Sequence, residues 1–182
     1  MNGDDAKARF ASVVLPHLAD AFALARWLTG DRADAEDVAQ EASLRAFRAI
    51  ASYSGGNARA WVLTIVRHTA YSWLAKHRRP LLMAVDDLEA VERAQAQPGR
   101  TAAETAGATP ETQLIAKADA ARLETAITAL PPPFRETLVL RDIQGLDYRE
   151  IAQITEVPIG TVMSRLARAR RRLIDTIGTD EP

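Results

Sequence analysis

The densest chemistry in this sequence lies between Asp147 and Leu173, DYREIAQITEVPIGTVMSRLARARRRL. Five arginines fall within the eight residues from Arg165 to Arg172, with no acid among them. Guanidinium groups on one helix face grip phosphate oxygens and can hydrogen-bond guanine edges in pairs. The surrounding pattern says how they are held. Asp147 and Glu150 have the spacing of a capping box. Ile151, Ala152 and Ile154 supply an apolar inner face, and Ala152 is small where two helices would cross. Val157-Pro158-Ile159-Gly160 reads as a short turn, with Pro158 refusing helix continuation. A second helix starts near Thr161, in which Val162, Leu166, Ala169 and Leu173 recur at helical spacing and face inward. Thr161, Ser164, Arg165, Arg168 and Arg172 are left on the outer side. This is a helix-turn-helix, whose second helix enters the major groove of DNA.

A second group of charges lies earlier. Asp31, Asp34, Glu36, Asp37 and Glu41 form an acidic cluster, and the stretch from Ala42 to Val85 then holds seven bases and no acid. Two basic stretches far apart in sequence suit a polyanion touched at two places. The acids do not suggest a metal site: no histidine is near them, and His17, His68 and His77 match no ligand spacing. There is no glycine-rich phosphate loop either, so the chain is not read as an enzyme and no cofactor or small-molecule substrate is expected. The absence of cysteine excludes a disulfide scaffold, thiolate zinc sites and thiol catalysis.

The elements that must position these groups are helical. Leu18, Ala21, Ala25 and Leu28 share one face of a first long helix, which Gly30 can end. Asp31 and Asp34 can both cap the next helix, and Asp34 is preferred because Asp37 follows it by three residues; this helix runs to about Ala51. Ser52–Asn57 is a loop by composition. A third helix starts near Arg59, with Trp61, Ile65, Thr69 and Trp73 down one side, which assigns both tryptophans to the core. Residues 84–110 are rich in small and polar residues and read as a flexible linker. Helical pattern resumes at Glu111, and Pro131-Pro132-Pro133 separates that helix from the next. The fold expected is all-α: a domain at 1–83 and a second at 111–182, of about four helices, containing the helix-turn-helix. The N-terminus shows no basic stretch followed by an apolar run, and no segment approaches about 18 uninterrupted apolar residues. A soluble cytoplasmic protein without membrane insertion is therefore expected.

Both halves resemble one family. Residues 24–50, LARWLTGDRADAEDVAQEASLRAFRAI, residues 61–79, WVLTIVRHTAYSWLAKHRR, and residues 130–173, from LPPPFRETLVL through the helix-turn-helix, look like an extracytoplasmic-function sigma factor, the small two-domain sigma subunit of bacterial RNA polymerase. The resemblance implies core RNA polymerase and promoter DNA as partners, and an anti-sigma factor that holds the protein inactive until a signal arrives. It implies that Asp34, Asp37, Gln40 and Glu41 lie on the surface that docks on polymerase. It implies that the Ser52–Asn57 loop and the helix after it open the minus-ten promoter element, with Asn57, Arg59, Arg67, Tyr71, Lys76, Arg78 and Arg79 as DNA contacts. The outer residues of the helix-turn-helix would read the minus-thirty-five element. His68, Ser72 and Ala75 depart from the residues usual in the minus-ten helix, and Glu156 replaces the usual glycine before the turn, where a left-handed backbone costs about 1 kcal/mol. The rival is a stand-alone helix-turn-helix regulator, which leaves the N-terminal half without a task.

Overall fold

The computed structural model describes residues 3–77 and 110–178. Every regular element among them is helical: α1 (Gly3–Val13), a 3-10 turn (Leu15–His17), α2 (Leu18–Thr29), α3 (Arg32–Ala49), a 3-10 turn (Ile50–Ser52), α4 (Ala58–His77), α5 (Pro110–Ala129), α6 (Pro132–Leu138), a π-turn (Val139–Ile143), α7 (Tyr148–Thr155) and α8 (Ile159–Gly178). The expected linker, except Pro110, lies outside the described residues, as do Arg78 and Arg79.

The N-terminal half packs α2, α3 and α4 against one another. Leu24, Ala25 and Leu28 of α2 are buried, with Ala35, Val38, Ala42 and Ala46 of α3 and Leu63, Val66 and Ala70 of α4. Alanine at three of the four α3 positions lets the helices approach closely. Gly30 ends α2 in the left-handed conformation, φ 75°, and its N–H donates to Arg26 O. The chain re-enters a helix at once, so the cap of α3 is Asp31 and not Asp34. Asp31 is extended, and its Oδ1 accepts from the backbone N–H groups of Ala33 (2.8 Å) and Asp34 (3.1 Å). The expectation failed because a left-handed glycine reverses the chain within one residue, leaving no room for a longer approach. Phe10 of α1 meets Phe47 of α3 edge to face at 5.5 Å. By length and composition the stretch Gly3–Thr29 would suffice to cross a membrane. The 3-10 turn at Leu15–His17 breaks it, however, and α2 commits its apolar face to the core.

In the C-terminal half, Phe134, Leu138, Val139 and Leu140 are buried beneath α7 and α8. After α6 the chain makes a π-turn, in which Gln144 N–H donates to Val139 O across five residues (2.9 Å), and Gly145 at φ 72° turns it outward. Asp147 and Glu150 form the expected capping box of α7. The helix stops at Glu156, φ 57° and ψ 38°, the one non-glycine residue in the left-handed region among those described. Pro158 O then accepts from Thr161 and Val162 N–H as α8 begins. Val162, Leu166 and Ala169 are buried and Leu173 half-buried.

The two halves share one apolar cluster, which runs from Val14 through α2–α4 into Ile127, Leu130, Phe134 and the helix-turn-helix core. The contacts between halves run from α2 to α6 and from α4 to α7. Arg135, 8% exposed, ties them together: its guanidinium donates to Thr128 O and Leu130 O at the end of α5 and to Trp27 O of α2.

Candidate nucleic-acid and partner interfaces

Three helix faces carry the residues singled out above. On α3, Asp37 and Gln40 are exposed, and Leu44 and Phe47 continue the same face at helical spacing, 52% and 39% exposed. Reasoning from charge alone misses these two apolar positions; extending the outward stripe of Asp37 and Gln40 by four and then three residues finds them. Asp34 is half-buried in the first turn, where its charge suits the helix dipole. Glu41 is also half-buried and accepts from Arg45 Nε at 2.8 Å; that hydrogen bond holds its carboxyl below the usual range. The outward-facing stripe is thus Asp37, Gln40, Leu44 and Phe47, acidic at one end and apolar at the other.

The α4 face is covered rather than open. Asn57 caps α4 by accepting from Ala60 N–H (3.0 Å), and its Nδ2 donates to Glu150 Oε1 of α7 (2.6 Å). Arg59 donates to Asp20 Oδ2 (2.7 Å) and to Gln144 O (2.8 Å). Arg67 donates from Nε to Glu136 Oε1 (2.7 Å), and the Tyr71 hydroxyl donates to the other oxygen of the same carboxylate (3.4 Å). The Arg67 guanidinium lies 5.0 Å from the centroid of the Tyr71 ring. His68 Nε2 lies 3.3 Å from Glu156 Oε2. Lys76 is exposed in the last turn.

Glu136 is 1% exposed. Burial pushes its carboxyl above the usual range, and the charge and hydrogen bond of Arg67 act in the opposite direction. The Tyr71 phenol is pushed up by burial first and by the charge of Glu136 second. Glu136 was not singled out from sequence; its one signal is that it follows Arg135 inside an apolar run, where buried charges must find partners. Trp61 and Trp73 are half-buried and pack on the core, Trp61 tilted against Tyr53 at 4.9 Å and Trp73 stacked on His77 at 4.1 Å.

On α8, Ser164 and Arg168 are exposed and Thr161 is half-buried; the Ser164 hydroxyl donates to Thr161 O (3.0 Å). Arg165 and Arg172, expected on the outer side, are half-buried instead. Arg165 is close enough to Glu136 to lower its carboxyl, and Arg172 lies over the Phe134 ring, 5.1 Å from its centroid. The apolar stripe of α8 is flanked by α6, so the arginines beside it lean onto that helix. Arg171 is exposed instead, and it continues the line of Ser164 and Arg168 by one more helical step. Arg170 is half committed: it grips Asp142 of the π-turn through two hydrogen bonds, 2.6 and 3.1 Å.

Residues 13–80 match the family Sigma-70 region 2, and residues 120–173 match Sigma-70, region 4. The ECF RNA polymerase sigma-E factor of Escherichia coli is 35% identical over 142 residues, which cover 77% of this chain and 72% of that one. The ECF RNA polymerase sigma factor SigE of Mycolicibacterium smegmatis is 32% identical over 163 residues, 90% of this chain; the match spans 59% of that relative's length. Among solved structures, the sigma factor RpoE of Bartonella quintana, in complex with the anti-sigma factor NepR, is similar with a TM-score of 0.71 at 26% identity, covering 94% of this chain and 98% of that one. CnrH, in complex with the cytosolic domain of CnrY, shares the fold at TM-score 0.61 and 21% identity, with 94% and 89% covered. Regions 2 and 4 in this order, the second built around a helix-turn-helix, define a sigma-70-type transcription initiation factor. Within that class the chain belongs to the extracytoplasmic-function sigma factors.

Proposed function

We propose that this chain is an alternative sigma factor that binds core RNA polymerase, directs promoter-specific initiation in the cytoplasm and does no chemistry of its own. The observation that carries this reading is the pairing in one chain of a region 2 with an outward acidic and apolar stripe on α3 and a region 4 with an outward basic stripe on α8. A stand-alone regulator would need only the second. The α3 stripe suits a protein partner: Leu44 and Phe47 offer apolar area to bury, while Asp37 and Gln40 supply orientation. Asp34 and Glu41 flank it. Ser164, Arg168 and Arg171 are the groups of α8 placed to meet base edges and phosphates of the upstream element, with Thr161, Arg165 and Arg172 supporting them. Asn57, Arg59, Arg67, Tyr71, Lys76, Arg78 and Arg79 are assigned to the minus-ten element. The Bartonella relative was captured with an anti-sigma factor, and an anti-sigma factor is proposed here as the partner that holds the chain inactive.

Run-off transcription with bacterial core polymerase on a promoter-fragment library tests this. Specific transcripts that appear only with the protein are expected. No transcript and no core binding, together with a footprint made by the protein alone, would replace the reading with that of a stand-alone regulator. Leu44→Asp is expected to weaken core binding without changing the folded stability, since the side chain is exposed; unchanged affinity removes α3 from the docking surface.

A further inference from the structure

The loop that leads into α4 is held in one shape by residues that the sites above do not use. Gly55 and Gly56 turn the chain at φ 99° and 95°, where side chains other than hydrogen are strained. Tyr53, two residues earlier, is buried. Its hydroxyl spans the turn and donates to Gly56 O (2.8 Å), while its ring tilts against Trp61 of α4 at 4.9 Å. Its backbone oxygen accepts from the guanidinium of Arg9 in α1, whose central carbon lies 5.9 Å from the centroid of the same ring. At the other end of the loop, Asn57 Oδ1 accepts from Ala60 N–H (3.0 Å). The exposed tip Ser54-Gly55-Gly56 is thus fixed on both sides. Phe10 seats α1 against Phe47 of α3, and Arg9 precedes the residues that match Sigma-70 region 2, which begin at position 13.

We infer that Arg9 and Tyr53 are positioning residues for the minus-ten strand: through them α1 keeps the backbone of residues 54–57 in the one shape that meets an unpaired base. This rests on the assignment of Asn57 and α4 to the minus-ten element made above. The reason is entropic. Glycine loses more backbone freedom on ordering than any other residue, and two stand side by side here. Order acquired during binding is subtracted from affinity, whereas order already present is not. A braced tip also keeps the directions of its exposed backbone N–H and C=O groups and of the Ser54 hydroxyl, and fixed directions are what distinguish one base edge from another. The hydrogen bond from Tyr53 lies wholly within the loop, so its removal leaves the α3 stripe and α8 as they are.

Three substitutions test this. Tyr53→Phe removes the hydroxyl and keeps the ring, Arg9→Met removes the donor and keeps an apolar stem, and Arg9→Lys restores a donor. Each full-length chain is assembled with bacterial core polymerase. Fluorescence anisotropy then measures binding of a labelled minus-ten single strand, of the sequence recovered by run-off, and of strands altered at one base. Core affinity and Tm are measured alongside. Tyr53→Phe and Arg9→Met are expected to bind the matched strand about fivefold more weakly, the loss that follows when one residue's backbone must be ordered on binding. The ratio between matched and altered strands should shrink, core affinity should stay native, and Arg9→Lys should recover most of the loss. Where Arg9→Met lowers Tm, the Tyr53→Phe result decides alone. Unchanged strand binding by Tyr53→Phe, or an equal fall in strand and core affinity, overturns the inference. Normal run-off by the native chain with unchanged strand binding by the variants leaves the sigma-factor reading standing and removes this one. No transcript from the native chain removes both.

Discussion

Removing Arg67 should leave a carboxylate stranded at the junction of the two halves, and the cost can be bounded. Glu136 is buried, and in the native chain its charge is opposed by Arg67 Nε at 2.7 Å, with the Tyr71 hydroxyl at 3.4 Å and Arg165 nearby. In Arg67→Met the carboxyl either stays charged without its main partner, at about 3–5 kcal/mol, or takes up a proton. Protonating an ordinary carboxyl at pH 7 costs about 3.7 kcal/mol, so the proton sets the ceiling. A folded-state value raised above the unfolded one means that the folded chain binds the extra proton. Its stability is then recovered as pH falls towards the unfolded value and is lost as pH rises. Unfolding by urea should accordingly show a penalty of about 3 kcal/mol at pH 7, shrinking by up to about 1.4 kcal/mol per pH unit between pH 7 and pH 5. Arg67→Met combined with Glu136→Gln removes the stranded charge and should recover most of the loss at pH 7 with little pH dependence. A penalty independent of pH, or a double variant as unstable as the single one, would refute the placement of an ionised Glu136 against Arg67.

Two further outcomes follow from local geometry. Glu156→Gly relieves a left-handed backbone while giving up an exposed contact to His68; the net gain should be about 0.5–1 kcal/mol, read as a rise of about 1–4 °C in Tm, and a fall would show that the His68 contact outweighs the strain. Arg168 and Arg172 should separate in assay: Arg168→Ala lowers promoter-specific run-off and leaves Tm unchanged, whereas Arg172→Ala lowers Tm because its guanidinium covers Phe134; equal effects on both readouts would mean the two faces of α8 are not distinct.

What could be read from sequence was local. The capping box Asp147–Glu150, the break at Gly30 and the inward stripe of α8 each depend on residues within one or two turns, and each is present. Sequence spacing does not choose between Asp31 and Asp34 as the cap of α3, because the two stand three residues apart and only the abruptness of the Gly30 turn decides between them. The acid-free stretch from Ala42 to Val85 read as an open basic face. Arg45 finds its acid one turn back, at Glu41, but Arg59 pairs with Asp20 39 positions away and Arg67 with Glu136 69 positions away, and periodicity carries no information at that range. The half-burial of Arg165 and Arg172 is hidden from sequence for the same reason: a helical wheel gives the buried stripe but not how far a neighbouring helix wraps around it.

The π-turn at Val139–Ile143 makes the register between the halves depend on a single residue. It is wound one residue wider than an α-turn, and it sets the direction of Asp142 towards Arg170 and of Gln144 towards Asp20 O. Deleting one residue here would rewind the segment as α-helix and swing everything downstream by about 100°. Gln144 would leave α2, Asp142 would leave α8, and the helix-turn-helix would be presented at another angle. Length variation is therefore far less tolerable in these five residues than in a surface loop, and a relative that has lost one of them would have to join its two halves by a different set of contacts.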